Sequence, residues 1–313
     1  MSPIKFSAIY QERVWGGRDL ERVYGRVLPC EGVPYGESWE ISDREEDQSV
    51  VSGGEFEGLS LNDLWKDDAR KSALFGEGLM GDRFPLLIKI LDCREDLSVQ
   101  VHPPVALEQE LGGEAKTEMW YMADVDEGAS LYAGVKNGVT EESFRKALES
   151  GGVEQEIHSI KAEKGDSIFI PSGRLHAIGA GHLIYEIQQN SDTTYRVYDW
   201  GRLGLNGEPR ELHVEQSIRC IDFTDVEPSM DVPVGNTLAS CEYFKVDKFE
   251  LPKDEVISNP CEDRFSIITV VSGELSDADG QVYRAGEFMI LPRGASCLKV
   301  DNDAVVLQTT IPV

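Results

Sequence analysis

The chain has 313 residues, 41% of them hydrophobic, and no apolar run long enough to cross a bilayer, which predicts a globular protein with one large core or two of ordinary size. Fifty-seven acidic against thirty basic residues give a formal charge of -27, which excludes nucleic acid and anionic membrane surfaces as natural partners. Screening over about 8 Å at physiological salt still leaves room for a small phosphorylated ligand where a few basic groups converge.

The opening Met1-Ser2-Pro3-Ile4-Lys5 has no apolar h-region, so no secretory signal is expected. Cys30, Cys93, Cys220, Cys241, Cys261 and Cys297 form no C-x-x-C pair. Reduced, mostly buried thiols in a cytoplasmic protein are expected. Residues 1–58 are rich in glycine, aromatics and short alternations such as Trp39-Glu40-Ile41-Ser42, a β-pattern in which Glu37 and Trp39 share a face. Apolar residues at 61, 64, 65, 69, 73 and 74 then have the three-and-four spacing of an amphipathic helix.

Phe84 to Leu91 reads as a buried strand, and Leu97-Ser98-Val99-Gln100-Val101-His102 as a second one. On the latter, Ser98, Gln100 and His102 share one face and Leu97, Val99 and Val101 the other. The polar face therefore meets solvent or lines a cavity, and Gln100 and His102 can reach one ion together. Pro103 and Pro104 end the pairing because neither donates to a ladder. A short helical stretch spans 105–111. Lys116, Glu118 and Trp120 then fall on one face of a β-prone run, where a buried Glu118 needs compensation that a metal would give. Residues 140–149 start with a capping signal and stop at Gly151-Gly152, predicting a peripheral helix.

Gly165 to His176 has the spacing G-x5-P-x-G-x2-H: a turn, a buried strand and a Pro/Gly bend that fix His176 beyond the strand end. This resembles the second motif of the cupin superfamily, whose histidine is a metal ligand in a small β-barrel. Gln100-x-His102 followed by Glu118 has the order of the first cupin motif, with one histidine replaced. Gln100, His102, Glu118 and His176 would then supply two imidazoles, a carboxylate and an amide oxygen to one ion. Zinc suits that set, and manganese, iron or cobalt also fit.

Gly286 to Ser296 repeats G-x5-P-x-G-x2 and ends in Cys297 in place of the histidine, so Cys297 is expected to be a buried small residue. The expected fold is mainly β: two cupin (jelly-roll) barrels, 1–235 with helical insertions and the metal, 236–313 without a metal site.

The resemblance narrows to type I mannose-6-phosphate isomerases of the short bacterial form. It rests on Arg13-Val14-Trp15-Gly16-Gly17, Gly36-Glu37-Ser38-Trp39, Leu87 to Leu91, Leu97 to Pro103, Lys116-Thr117-Glu118, the His176 motif, and Asn190-Ser191-Asp192 with Arg196. It implies interconversion of mannose 6-phosphate and fructose 6-phosphate, one zinc on the four residues above, an essential arginine at Arg196 and an active-site lysine at Lys116. Long forms flank that lysine with histidine and proline where this chain has Ala115 and Thr117, so the role of that histidine does not carry over.

Isomerisation needs an electrophile for the oxyanion and a group that shuttles a proton. Arg196 can supply the charge, and Glu186 or Lys116 the proton; Glu186 is preferred because Lys116 would need a depressed pKa. Ser98, Arg202 and Lys89 are candidates for the phosphate, and Glu37 for the substrate; Arg202 as a surface cation, Lys89 as a snorkelling strand residue and Glu37 as a surface or turn carboxylate are the alternatives. His158, His182 and His213 have no partners at ligand spacing. The expected partner is a sugar phosphate, the protein a monomer or homodimer. A metal-bearing sugar-sensing bicupin and an iron-dependent cupin oxygenase are the rival readings.

Overall fold

The computed structural model describes residues 1–312. The strands in chain order are β1 (Ile9–Gly17), β2 (Tyr35–Ile41), β3 (Leu86–Cys93), β4 (Val99–Val101), β5 (Glu118–Val125), β6 (Ser130–Val135), β7 (Ile157–Lys161), β8 (Ser167–Ile170), β9 (His176–Ile178), β10 (His182–Gln189) and β11 (Tyr195–Tyr198). The C-terminal part adds β12 (Thr237–Ser240), β13 (Lys245–Leu251), β14 (Val256–Ile257), β15 (Ser266–Ser276), β16 (Val282–Arg284), β17 (Phe288–Leu291) and β18 (Leu298–Thr310). The fold is mainly β, as the alternating sequence pattern predicts.

Contacts divide the chain into two compact units. One comprises Met1–Ile9, Trp39–Ile88 and Val232–Val313; the other comprises Tyr10–Ser38 and Lys89–Asp231. The N-terminal segments of the first unit thus join the chain after 232, a grouping that differs from the sequence boundary at 235/236.

In the first unit β15 runs along β18, β17 and β16, and β13 and β14 pair with β18. Ile268, Val270, Met289, Leu291, Leu298, Val300 and Val306 form its core. The predicted helix after Ser60 is two helices, Leu61–Lys66 and Asp68–Phe75. Asp67 breaks it: its backbone is extended and its carboxylate accepts from Arg70 N, so it ends one helix and caps the next. Leu61, Leu64, Trp65, Leu74 and Phe75 are buried, whereas Ala69 and Ala73 face outward.

The second unit holds the five-stranded sheet β11-β4-β9-β6-β7. The six-stranded sheet has the order β1-β2-β3-β10-β5-β8. Side chains from β3, β5, β6, β8 and β9, among them Leu91, Trp120, Leu131, Ile168 and Ile178, share one core, so the two sheets pack face to face. The opposite face of the five-stranded sheet presents Val99, Val101, Leu175 and Ala177 to Phe144, Val153 and Ile218. The helix Glu141–Ser150, started by the Thr140–Ser143 capping box, therefore covers an apolar sheet face. Alternation then turns Ser98, Gln100 and His102 inward between the sheets. The polar face of that strand lines a cavity.

The thiols differ from expectation. Cys93 and Cys220 are buried, but Cys30, Cys261 and Cys297 are exposed, and all are free. Cys297 follows the turn at Gly294, whose φ of 64° is left-handed, and precedes β18; the short irregular stretch between them leaves the thiol exposed.

Candidate metal centre and substrate pocket

His102, Glu118 and His176 converge, with one ligand atom from each within 4.8 Å of the others, and all three are buried. Gln100 and His176 are directly paired across β4 and β9, and Glu118 reaches the same point from β5 in the opposing sheet. His102 Nε2 lies 3.5 Å from Glu118 Oε2, and His176 Nε2 lies 3.6 Å from Glu118 Oε1.

Each imidazole is fixed from behind. His102 Nδ1 is 2.9 Å from Thr193 O, and His176 Nδ1 is 2.9 Å from Arg174 O. A carbonyl only accepts, so each Nδ1 carries the proton and each Nε2 turns a lone pair inward. Arg174 is itself held, donating to Phe169 O and forming a two-pronged pair with Asp225. Thr193 is held by Glu114 N and Ser191 Oγ. These backing groups had no signal in the sequence beyond the Asn190-Ser191-Asp192 run.

His102 Nε2 and Glu118 Oε1 are buried without a hydrogen-bond partner. Burial and the neighbouring Lys116 push the His102 imidazole below its usual pKa; burial and His102 push His176 down to about 3. Both are therefore neutral near pH 7, the state in which they ligate. Burial favours a protonated Glu118, but the surrounding groups, first the Lys116 ammonium 2.8 Å from Oε2, outweigh it and hold its pKa well below the usual carboxylate range. Two neutral imidazoles and a carboxylate around a common point fit a divalent cation of the zinc type. Gln100 Nε2 is 3.3 Å from His176 Nε2, and a half-turn of the amide would present its oxygen instead.

Beside this cluster lies a cavity of about 310 Å³, at the small end for ligand sites. Glu37, Lys89, Ser98, Gln100, Lys116, Glu186 and Arg196 all line it, together with Arg13, Asp192, Arg210 and His213. Its wall carries five cationic side chains (Arg13, Lys89, Lys116, Arg196, Arg210) against three carboxylates (Glu37, Asp192, Glu186), a local excess of two positive charges in a chain of -27.

Lys116 Nζ is 2.8 Å from Glu118 Oε2 and 3.9 Å from Glu186 Oε1. Burial alone would lower its pKa, but the two carboxylates, Glu118 first, reverse this and raise it, which favours the ammonium form of Lys116. Glu186 moves the other way: burial, then the nearby Glu118, raise its pKa against the pull of Lys116 and Lys89. Trp120 Nε1 donates to its Oε2 at 3.2 Å, while Lys89 stands 3.5 Å from Oε1. Lys89 is buried and also faces Glu37 at 3.6 Å, so it is no snorkelling surface residue.

Arg196 donates from Nε to Ser98 Oγ and from Nη1 to Glu211 O. Arg202 is not among the cavity-lining residues: its three guanidinium nitrogens are taken by Asp199 and by the Asp96 carbonyl. It is a structural cation, contrary to its expected place on the phosphate. His213 and Arg210, to which the sequence assigned nothing, do line the cavity. They come from an irregular segment that no periodicity marks. His158 and His182 stand outside the lining.

Comparison with known proteins relates the whole chain to one family. The family model described as "Phosphomannose isomerase type I, catalytic domain" matches residues 4–145. The chain is 37% identical over 314 residues to "Mannose-6-phosphate isomerase ManA" of Bacillus subtilis, covering 96% of both chains. It superposes on the crystal structure of the mannose 6-phosphate isomerase from Bacillus subtilis with a TM-score of 0.88 and 33% identity, covering 99% of this chain and 100% of that one. A zinc-bound mannose 6-phosphate isomerase structure shares the fold at a TM-score of 0.76 and 17% identity, each chain covered in full.

Proposed function

This chain belongs to the type I mannose-6-phosphate isomerases, and on that footing we propose that it interconverts mannose 6-phosphate and fructose 6-phosphate through an enediolate. The observation that carries the proposal is the convergence of His102, Glu118 and His176 beside a cation-rich cavity of about 310 Å³.

Gln100, His102, Glu118 and His176 would hold one zinc ion, and when bound it would supply positive charge that orients and polarises the sugar oxygens. Glu186 moves the proton between C1 and C2. Its raised pKa brings it nearer to the working pH than an ordinary carboxyl, and Trp120 fixes one oxygen while the other, with Lys89 at 3.5 Å and Lys116 at 3.9 Å, takes and returns the proton. Lys116 stays protonated and tethers the metal carboxylate and Glu186. Arg196 provides a permanent positive charge for the enediolate oxygen. Ser98 and Lys89 contribute hydrogen bonds to the sugar phosphate, and Glu37 positions Lys89 and Arg13.

The second occurrence of the G-x5-P-x-G-x2 spacing falls on β17 and the turn after it, as the first falls on β8 and its turn, with Gly165, Gly173, Gly286 and Gly294 all at positive φ. This supports reading the chain as two cupin barrels, the later one from about 236 without a metal site. Among the described residues no helix is long and apolar enough to cross a membrane; a cytoplasmic enzyme of carbohydrate metabolism, monomeric or homodimeric, fits this reading.

Incubation of the metal-loaded protein with mannose 6-phosphate in deuterated water tests the proposal. Fructose 6-phosphate carrying deuterium at C1 is expected, together with deuterium at C2 of the mannose 6-phosphate re-formed by the reverse reaction, and the absence of both product and label would sink it.

A further inference from the structure

Asp199 is buried and grips two arginines at once. Its Oδ1 accepts from Arg202 Nε at 3.1 Å, from Arg202 Nη2 at 2.9 Å and from Arg210 Nη2 at 2.6 Å; its Oδ2 accepts from Arg210 Nε at 2.8 Å. The two guanidinium groups end up in different states. Arg202 spends its remaining nitrogen on the Asp96 carbonyl and is saturated. Arg210 keeps Nη1 without a partner among the described residues, and it lines the cavity.

The segment carrying Arg210 is stitched to β11. His213 N donates to Arg196 O at 2.7 Å, and Arg196 Nη1 donates to Glu211 O at 2.9 Å. Arg196 and Arg210 are close enough to repel: burial lowers the Arg196 pKa first, and Arg210 lowers it further. Among the described residues no carboxylate lies within ion-pair distance of Arg196. An anion with two negative charges beside Arg210 would offset that repulsion, and a guanidinium with one free edge is the geometry that takes a phosphate oxygen.

We propose that Arg210 binds the phosphate of the substrate and that Asp199 is the positioning residue that aims it, with Arg202 as scaffold. The proposal rests on the sugar-phosphate reading of the cavity. A phosphate on Arg210 leaves the charge of Arg196 for the enediolate. Asp199 uses two of the three Arg210 nitrogens, so the side chain is pre-set and loses little freedom on binding.

The test uses the metal-loaded protein with two readouts: NMR titration with inorganic phosphate, and steady-state kinetics with mannose 6-phosphate. Arg210→Gln is expected to weaken phosphate binding and raise KM by about 10- to 100-fold, with kcat changed by less than about threefold. Arg210→Lys is expected to recover part of that loss. Asp199→Asn is expected to raise KM while leaving kcat near the parent value, because the arginine stays but wanders; should that variant fail to fold, Arg210→Gln alone decides. Arg202→Gln is expected to leave phosphate affinity within about threefold.

Parent-like phosphate affinity in Arg210→Gln, or an equal loss in Arg202→Gln, overturns the assignment. Phosphate binding is read without turnover. A parent protein that binds phosphate through Arg210 but leaves mannose 6-phosphate unchanged would therefore overturn the isomerase reading alone.

Discussion

Gln100 and His176 face each other in the antiparallel pairing of β4 with β9, their side-chain nitrogens 3.3 Å apart. That single register point joins the two sequence motifs, 76 positions apart, into one ligand set. A slip of one residue would turn both side chains to the helix-covered face, so the metal centre is as well specified as the core beneath it.

Removing one imidazole should therefore remove the ion and not merely weaken turnover. His176→Ala and His102→Ala are each expected to lose more than about 100-fold in zinc affinity together with isomerase activity. Metal content after dialysis, read beside the assay, checks this; stoichiometric zinc in either variant would contradict the assigned site.

Glu186→Gln preserves shape and hydrogen bonding to Trp120 but cannot carry the proton. Turnover is expected to fall by about 10² to 10⁴ with metal content unchanged. In the parent, Glu186 has to be ionised to accept the proton, so kcat/KM should fall as pH drops through its raised pKa, at a higher pH than an ordinary glutamate would give. Turnover within tenfold of the parent would reassign the proton shuttle.

Gly173 links the two ligand strands: its N–H donates to His102 O at 3.0 Å, and its φ is 90°. A Cβ there would stand 3.2 Å from Cys220 O. Gly173→Ala is expected to cost about 1–3 kcal/mol of stability and to loosen zinc, because His176 follows three residues later. Denaturant unfolding of the metal-free protein isolates the stability part; an unchanged midpoint would show that the turn tolerates a side chain.

Asp92 accepts from the backbone N–H groups of Asp19 and Leu20 at 2.5 and 3.3 Å. Burial, then the Asp19 charge, raise its pKa from 3.8 to about 6. Between those values the folded protein holds a proton that the unfolded chain releases. The stabilisation is complete below about 3.8 and is lost as pH rises through about 6. It amounts to at most about 3 kcal/mol. Calorimetry of Asp92→Asn should show a flatter dependence of Tm on pH across that window, and parallel curves would refute the assignment.

Much of the site was legible because its residues lie at regular spacing on strands. Ser98, Gln100 and His102 alternate with valines, and the Pro/Gly bend before His176 needs a left-handed glycine. What the sequence hid depends on distance in the chain. Asp199 holds both Arg202 and Arg210 through hydrogen bonds that no periodicity encodes. Likewise, Asp67 splits a helix whose apolar spacing looked continuous, because a side-chain cap competes locally with helix propagation. The repeat puts Cys297 where the first copy has His176 and predicts a core residue, yet the stretch that carries it, between the Gly294 turn and β18, leaves it exposed.

The small positive excess of the cavity wall also sets how substrate arrives. At long range a sugar-phosphate dianion meets the repulsion of a -27 chain, and only within the pocket does the sign reverse. At about 10 mM salt the repulsive field reaches roughly 30 Å from the surface; at about 100 mM it shrinks to roughly 10 Å. The encounter rate should therefore rise over that range, the opposite of an enzyme that draws its substrate in electrostatically. Viscosity-sensitive kcat/KM measured across this series would report it, and a steady decline with salt would mean that the pocket's field governs approach from the start.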